Sequence, residues 1–132
     1  MSRPDCGRWR RPVALGGTIR LLYGLGALLA PSQVSGRIAP EIHGLPGPRM
    51  NLRGFGSGHI ALAAFTLAAT RSPRHAPAAL ALNAGSDVLD AAAAALELRA
   101  RGGMDRVVAG GMLLPALGLA TWSVAARRGA LG

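Results

Sequence analysis

The sequence predicts an all-α fold, specifically a four-helix up-down-up-down transmembrane bundle. Half of the 132 residues are hydrophobic, and they collect in long runs. The arginines lie mostly between these runs rather than inside them. A soluble amphipathic helix would carry charge along one face over its whole length. Charge that clusters between runs of about 20 apolar residues is instead typical of membrane spans.

Four apolar segments define the predicted helices, and they cover residues 13–30, about 52–70, 76–98 and 107–126. At about 1.5 Å per residue, the first segment reaches about 27 Å and just crosses the hydrocarbon core. Proline and glycine are frequent in residues 31–50, which predicts an irregular connection with one short interfacial turn around residues 34–42. The other two connections are short, and short connections join antiparallel neighbours.

These segments divide the chain into a basic N-terminal tail (1–12), a single membrane domain (13–126) and a C-terminal tail (127–132). All 15 basic residues are arginines, and the formal charge is +9. A nucleic-acid partner is not predicted, because the sequence has no continuous basic stripe and no aromatic stacking platform. We expect the lipid bilayer to be the partner, with basic loops near anionic headgroups. Association with another membrane protein or with a second copy is a further expectation.

The arginines also predict an orientation in the cell membrane. The side that holds both termini carries eight of them, namely Arg3, Arg8, Arg10, Arg11, Arg71, Arg74, Arg127 and Arg128. The opposite side carries five, namely Arg37, Arg49, Arg99, Arg101 and Arg106. The positive-inside rule therefore predicts that both termini are cytoplasmic.

A polar stripe runs down the third apolar segment. Asn83, Asp87, Asp90 and Glu97 follow spacings of 4, 3 and 7 residues, which places them on one face of a helix. An aspartate near the middle of a span costs about 2.5–3.5 kcal/mol on insertion scales. We therefore expect other helices to supply partners for this stripe.

Two arginines are candidate partners. Arg20 lies halfway along the first segment, on the face that carries Gly17, Gly24 and Ala27. Small residues mark faces where membrane helices approach closely, so Arg20 should point into the bundle. Arg53 opens the second segment, and it is the preferred partner of Asp87 because helices joined by a short loop are neighbours. Arg20 lies nearer the middle of its predicted span, and so its depth in the membrane is closer to that of Asp87.

The predicted buried polar network therefore contains Arg20, Arg53, Asn83, Asp87 and Asp90. In one interpretation the network only fixes helix order and register, and the protein is structural or accessory. In a second, the protein is a small transporter or proton-coupled carrier that uses Asp87 and Asp90. A third interpretation is a membrane oxidoreductase subunit that binds a quinone or haem, for which His59 is the only axial ligand.

No motif for catalysis is present, since the sequence contains no Ser-His-Asp order, no Cys-x-x-Cys pair and no P-loop. We therefore predict no enzyme activity, no catalytic residues, no cofactor and no metal site. Trp9 and Trp122 lie near segment ends and are predicted to be interfacial anchors. Asp105 is the expected N-cap of the fourth helix.

The chain resembles a family of small four-span bacterial membrane proteins, common in actinobacteria and functionally uncharacterised. Three motifs carry the resemblance: Leu-Leu-Ala-Pro at residues 28–31, Arg-Gly-Phe-Gly at 53–56 and Asp-Val-Leu-Asp at 87–90. In the family another arginine often follows the second motif, where this chain has Gly58. The resemblance covers about residues 13–126 and implies a membrane location and no catalytic activity.

Overall fold

The computed structural model describes residues 7–38 and 46–130, and the predicted all-α fold is confirmed. Its α-helices are α1 (Arg10–Leu29), α2 (Pro31–Ile38), α3 (Pro46–Ala69), α4 (Ala76–Arg101) and α5 (Arg106–Ala125). A short 3₁₀ turn (Pro73–His75) precedes α4, and a π-helical turn (Ala126–Ala130) follows α5. The described residues contain no β-strand.

Local sequence signals account for most helix ends. The Asp105 carboxylate accepts a hydrogen bond from the Val108 backbone N–H at 2.9 Å, which confirms the predicted N-cap of α5. Gly102, with φ of +67°, ends α4 in the left-handed conformation that glycine adopts without strain.

The connection after α1 is more regular than its composition predicts. Pro31 begins α2 at the first helical position, where its missing N–H leaves no helical hydrogen bond unmade. The irregular connection predicted for residues 31–50 is therefore wrong over Pro31–Ile38 and over residues 46–50, which begin α3. The turn expected around residues 34–42 overlaps the end of α2. The rest of that turn lies outside the described residues.

The four long helices contact one another in the cyclic order α1, α3, α4, α5. The packing of α1 on α3 and of α4 on α5 is extensive, whereas α3 and α4 touch only slightly. Neighbours run antiparallel: Gly17 lies against Thr66 near the end of α3, and Gly24 lies against Ile60 further back. In this cyclic order α1 and α4 are diagonally opposite.

The closest approach between α1 and α3 depends on two glycines. A Cβ atom added at Gly24 would lie 2.8 Å from the backbone oxygen of Gly56. A Cβ atom added at Gly56 would lie 2.7 Å from the backbone oxygen of Gly24. Contacts this short are not tolerated, so the two helices touch backbone to backbone at this level.

Polar and apolar side chains are distributed in the opposite way from a soluble protein. The buried hydrophobic residues are mainly alanines, and the buried polar residues are Arg20, Thr66, Asn83 and Asp87. Large apolar side chains are exposed along the helices, as Leu22 on α1, Leu89 on α4 and Leu117 on α5 illustrate. Soluble proteins bury such leucines and rarely leave extended apolar surface uncovered.

Three helical stretches in the described part of the chain are long and apolar enough to cross a membrane, by length and composition. They are Arg10–Leu29, Pro73–Ala100 and Arg106–Gly129. The second predicted segment, within α3, is not one of them. The part of α3 that ends at His59 also carries Arg49, Arg53, Ser57 and several glycines, which lower its hydropathy.

Replacement of Gly56 by alanine should destabilise the fold, because the new methyl group meets the Gly24 carbonyl. We expect a loss of about 1–3 kcal/mol in the free energy of unfolding, as for other overpacked sites. The matched control is Gly58→Ala on the same helix, where an added Cβ meets nothing within 4 Å. Gly58→Ala should be neutral or stabilising by up to about 1 kcal/mol. Thermal unfolding in detergent measures both, and equal effects would contradict the α1–α3 contact.

Candidate functional site

An ion pair between Arg20 and Asp87 lies at the centre of the described helices. The Arg20 Nη2 atom donates a hydrogen bond to Asp87 Oδ1. Arg20 is only 8% exposed and Asp87 only 3%. Arg20 belongs to α1 and Asp87 to α4, so the pair bridges the diagonal between two helices that are not neighbours in the cyclic order.

The other oxygen of the Asp87 carboxylate is bound by α5. Trp122 Nε1 donates a hydrogen bond of 2.6 Å to Asp87 Oδ2. Gly118 makes room for this oxygen, because a Cβ atom there would lie 2.1 Å from Asp87 Oδ2. Both carboxylate oxygens therefore have a buried donor, as a charged group in a low-dielectric interior requires.

The second terminal nitrogen of the guanidinium group, Nη1, is directed toward α3 and α4. Arg20 Nη1 donates to Ser86 Oγ at 3.1 Å and lies 3.3 Å from His59 Nδ1. Arginine can only donate, so His59 Nδ1 accepts, and a neutral imidazole then carries its proton on Nε2. The Arg20–Asp87 cluster, meaning Arg20, His59, Ser86, Asp87 and Trp122, thus draws side chains from all four long helices.

Asn83 makes a separate polar contact, one turn before Asp87. Its Nδ2 donates to Thr66 Oγ1 on α3 at 2.6 Å and to the Ala79 backbone oxygen at 2.7 Å. Both Asn83 and Thr66 are completely buried. Within the described residues, Asn83 Oδ1 accepts no hydrogen bond. Asn83 therefore helps to join α3 and α4, where the two helices otherwise touch little.

Asp90 and Arg53 occupy different environments from the pair. Asp90 is half-buried, and its charge interacts with those of Arg20 and Asp87, but no hydrogen bond or ion pair joins it to the described residues. Arg53 is exposed near the start of α3, and no ion pair joins it to the residues that the structure describes. The structure therefore pairs Asp87 with Arg20 and not with Arg53, the partner preferred from the sequence. Arg53 lies six residues before His59, which is about 9 Å along the helix axis.

A pocket of about 270 Å³ opens beside the cluster, and it is lined by Arg20, Gly54, Phe55, Gly58, His59, Leu62 and Ser86. The rings of Phe55 and His59 pack with centroids 4.2 Å apart, and Tyr23 contacts the His59 ring edge-on at 5.5 Å. No group of three or more metal-ligating side chains occurs in residues 7–38 and 46–130. His59 is thus held by an arginine and two aromatic rings.

The predicted role of both tryptophans as interfacial anchors is wrong. Trp9 is 2% exposed and Trp122 is 4% exposed, and the two belong to one hydrophobic core cluster. The sequence contains a signal for this placement, because Gly111, Pro115, Gly118, Trp122 and Ala125 follow spacings of 4, 3, 4 and 3. That pattern marks one packed face of a helix. His59, Ser86 and Trp122 bind the pair although the predicted polar network contained none of them.

A scan against protein-family models and searches of curated proteins and of solved structures found no match to this chain.

Removal of one partner of the ion pair should destabilise the protein more than removal of both. Asp87→Ala or Arg20→Leu leaves one buried charge uncompensated, which typically costs about 3–5 kcal/mol, whereas the double change is closer to neutral. Couplings measured within membranes are smaller, so we expect about 3 kcal/mol or less for each single variant. Unfolding of all three variants in detergent gives the coupling free energy.

Asp90→Ala is the matched control, since it removes an aspartate one turn away that has no hydrogen bond in the described structure. We expect it to change the free energy of unfolding much less than Asp87→Ala does. Additive effects of Asp87→Ala and Arg20→Leu would contradict a direct interaction between these side chains.

Proposed function

We propose that the chain is an integral protein of the cell membrane with four spans and both termini in the cytoplasm, and that its role is structural or accessory. The observation that carries this proposal is the exposure of large apolar side chains around a polar interior. In lipid, exposed leucines need no cover, while charged side chains face the interior and pair with one another. The same arrangement in water would be unstable.

Support for α3 as the fourth span comes from its packing rather than its composition. Its length of 24 residues corresponds to about 36 Å, enough to cross a hydrocarbon core of about 30 Å. Its residue His59 lies at the level of Arg20 and Asp87, near the middle of their helices. A helix that contacts α1 backbone to backbone at this level shares the depth of α1. The resemblance to small four-span actinobacterial proteins stays a prediction, and it agrees with a count of four membrane spans.

A structural role is favoured by the completeness of the pair. Arg20 and Asp87 neutralise each other, and each of the two Asp87 oxygens already accepts a hydrogen bond. The pair therefore suits the fixing of helix order and register better than the exchange of a cargo.

The second candidate function is a small transporter or proton-coupled carrier that uses Asp87 and Asp90. It is favoured by one observation, the pocket that opens against Arg20, His59 and Ser86. Asp90 is half-buried and has no hydrogen bond to the described residues, so it would be free to bind a proton. A carrier is distinguished from a structural protein if Asp87→Ala leaves stability unchanged and abolishes a solute or proton flux in proteoliposomes. Binding to another membrane protein or to a second copy stays a prediction.

Reporter fusions test the number of spans. With four spans, a green fluorescent protein at either end should be fluorescent and alkaline phosphatase at either end inactive, because both reporters stay in the cytoplasm. If only the three most apolar helices cross the membrane, the termini lie on opposite sides, and the two ends should give opposite signals.

Carbonate extraction of the unfused chain is the control for membrane insertion. An integral protein stays with the membrane at high pH and high salt, because its apolar surface is buried in lipid. Release of the unfused chain into the soluble fraction by salt alone would show that only arginine–lipid contacts held it, and would contradict the proposal.

A further inference from the structure

A basic pocket lies at the end of the molecule where the described chain begins and ends. Its volume is about 700 Å³, and its lining consists of Gly7, Arg8, Arg11 and Arg128. Gly7 and Arg8 precede α1, Arg11 lies in its first turn, and Arg128 lies in the π-helical turn after α5. Arginines from the two ends of the sequence therefore meet around one cavity.

Hydrophobic packing holds these arginines in place. Trp9, the N-cap of α1, and Val13 of α1 pack with Trp122 and Ala125 of α5 in the buried cluster at this end of the helices. Arg11 follows Trp9 by two residues, and Arg128 follows Ala125 by three. Separation of Arg11 from Arg128 would pull this cluster apart and expose both tryptophans. The packing thus keeps the helix ends that carry Arg11 and Arg128 together before any ligand arrives.

The described residues around the pocket carry charge of one sign only. The described residues at this end, 7–14, 70–77 and 121–130, include no aspartate or glutamate, whereas they include Arg71 and Arg74 besides the lining arginines. The N-terminus of α1 is the positive end of the helix dipole and adds to the positive potential. An anion bound here would offset the repulsion between the guanidinium groups.

We propose that this pocket binds a phosphate group, through Arg11 and Arg128. Guanidinium groups match phosphate oxygens with paired hydrogen bonds, and they lose less hydration than lysine does. If the helices span the membrane as proposed, the pocket lies at the level of the lipid headgroups. The phosphate then belongs to an anionic lipid. Only this lipid source rests on the proposed function, because a free phosphate ion would use the same arginines.

The test uses the purified full chain in an uncharged detergent. Four probes are compared: dioctanoyl phosphatidic acid, dioctanoyl phosphatidylglycerol, dioctanoylglycerol without phosphate, and inorganic phosphate. Titration calorimetry gives each dissociation constant for the wild-type protein and for Arg11→Gln, Arg128→Gln and the double variant. The matched control is Arg37→Gln with Arg106→Gln, which removes two exposed arginines at the other end of the molecule.

We expect the phosphate lipids to bind more tightly than dioctanoylglycerol. Each single variant should weaken binding about 5-fold and the double variant about 25-fold, at about 1 kcal/mol per arginine. The control variant should change binding less than twofold. Inorganic phosphate that binds as tightly, with the same arginine dependence, would support the site and identify free phosphate as its source.

Two results would overturn the proposal. In the first, the control variant weakens phosphate-lipid binding as much as the double variant does. In the second, dioctanoylglycerol binds as tightly as phosphatidic acid and inorganic phosphate does not bind. All four arginines are exposed, so we expect the variants to stay folded. Thermal unfolding without any probe checks this expectation. The phosphate arm needs no membrane, so its result is independent of the carbonate extraction that tests membrane insertion.

Discussion

Arg20 and Asp87 place two opposite charges in the middle of a small protein, and its other buried residues are mostly alanine and glycine. Loss of water around each ion costs several kcal/mol, and mutual attraction offsets that cost only when the remaining hydrogen-bonding positions are also filled. Ser86, His59 and Trp122 supply three further hydrogen-bond partners to the pair. Because these side chains come from four helices, the relative position of every long helix is constrained by the needs of one ion pair.

The small residues follow from the same constraint. Gly118 leaves space for the carboxylate of Asp87, and Gly24 and Gly56 let α1 and α3 touch along their backbones. A core of such residues has no room for leucine side chains, which are displaced to the outer surface. An apolar outer surface around a polar centre is stable in lipid, where helices associate through close packing and hydrogen bonds rather than through the hydrophobic effect. The pair and the proposed membrane location therefore support each other.

Much of this arrangement could be read from single helices. The face of α1 with Gly17, Arg20, Gly24 and Ala27 is buried as predicted, and Asn83 and Asp87 are buried on α4 as their spacing indicated. Contacts between helices could not be read in the same way. Whether Asp87 pairs with Arg20 or with Arg53 depends on which helix lies diagonally across from α4. No local sequence pattern encodes this arrangement of the helices. Trp122 was misplaced because a tryptophan near a helix end has the same composition signal whether it faces lipid or the core.

The central claim is that Asp87 holds Arg20 and Trp122 together inside the membrane. The chain contains two tryptophans, so a nitrogen–proton NMR spectrum of the protein in lipid nanodiscs shows two indole signals, with Trp9 as the internal reference. We predict that the Trp122 indole N–H exchanges slowly with deuterium in the wild-type protein. Its resonance should shift and its exchange accelerate in both Asp87→Ala and Arg20→Leu, while the Trp9 signal changes little. Fast exchange of the Trp122 indole in the wild-type protein, or a Trp122 resonance that Asp87→Ala does not move, would contradict the account.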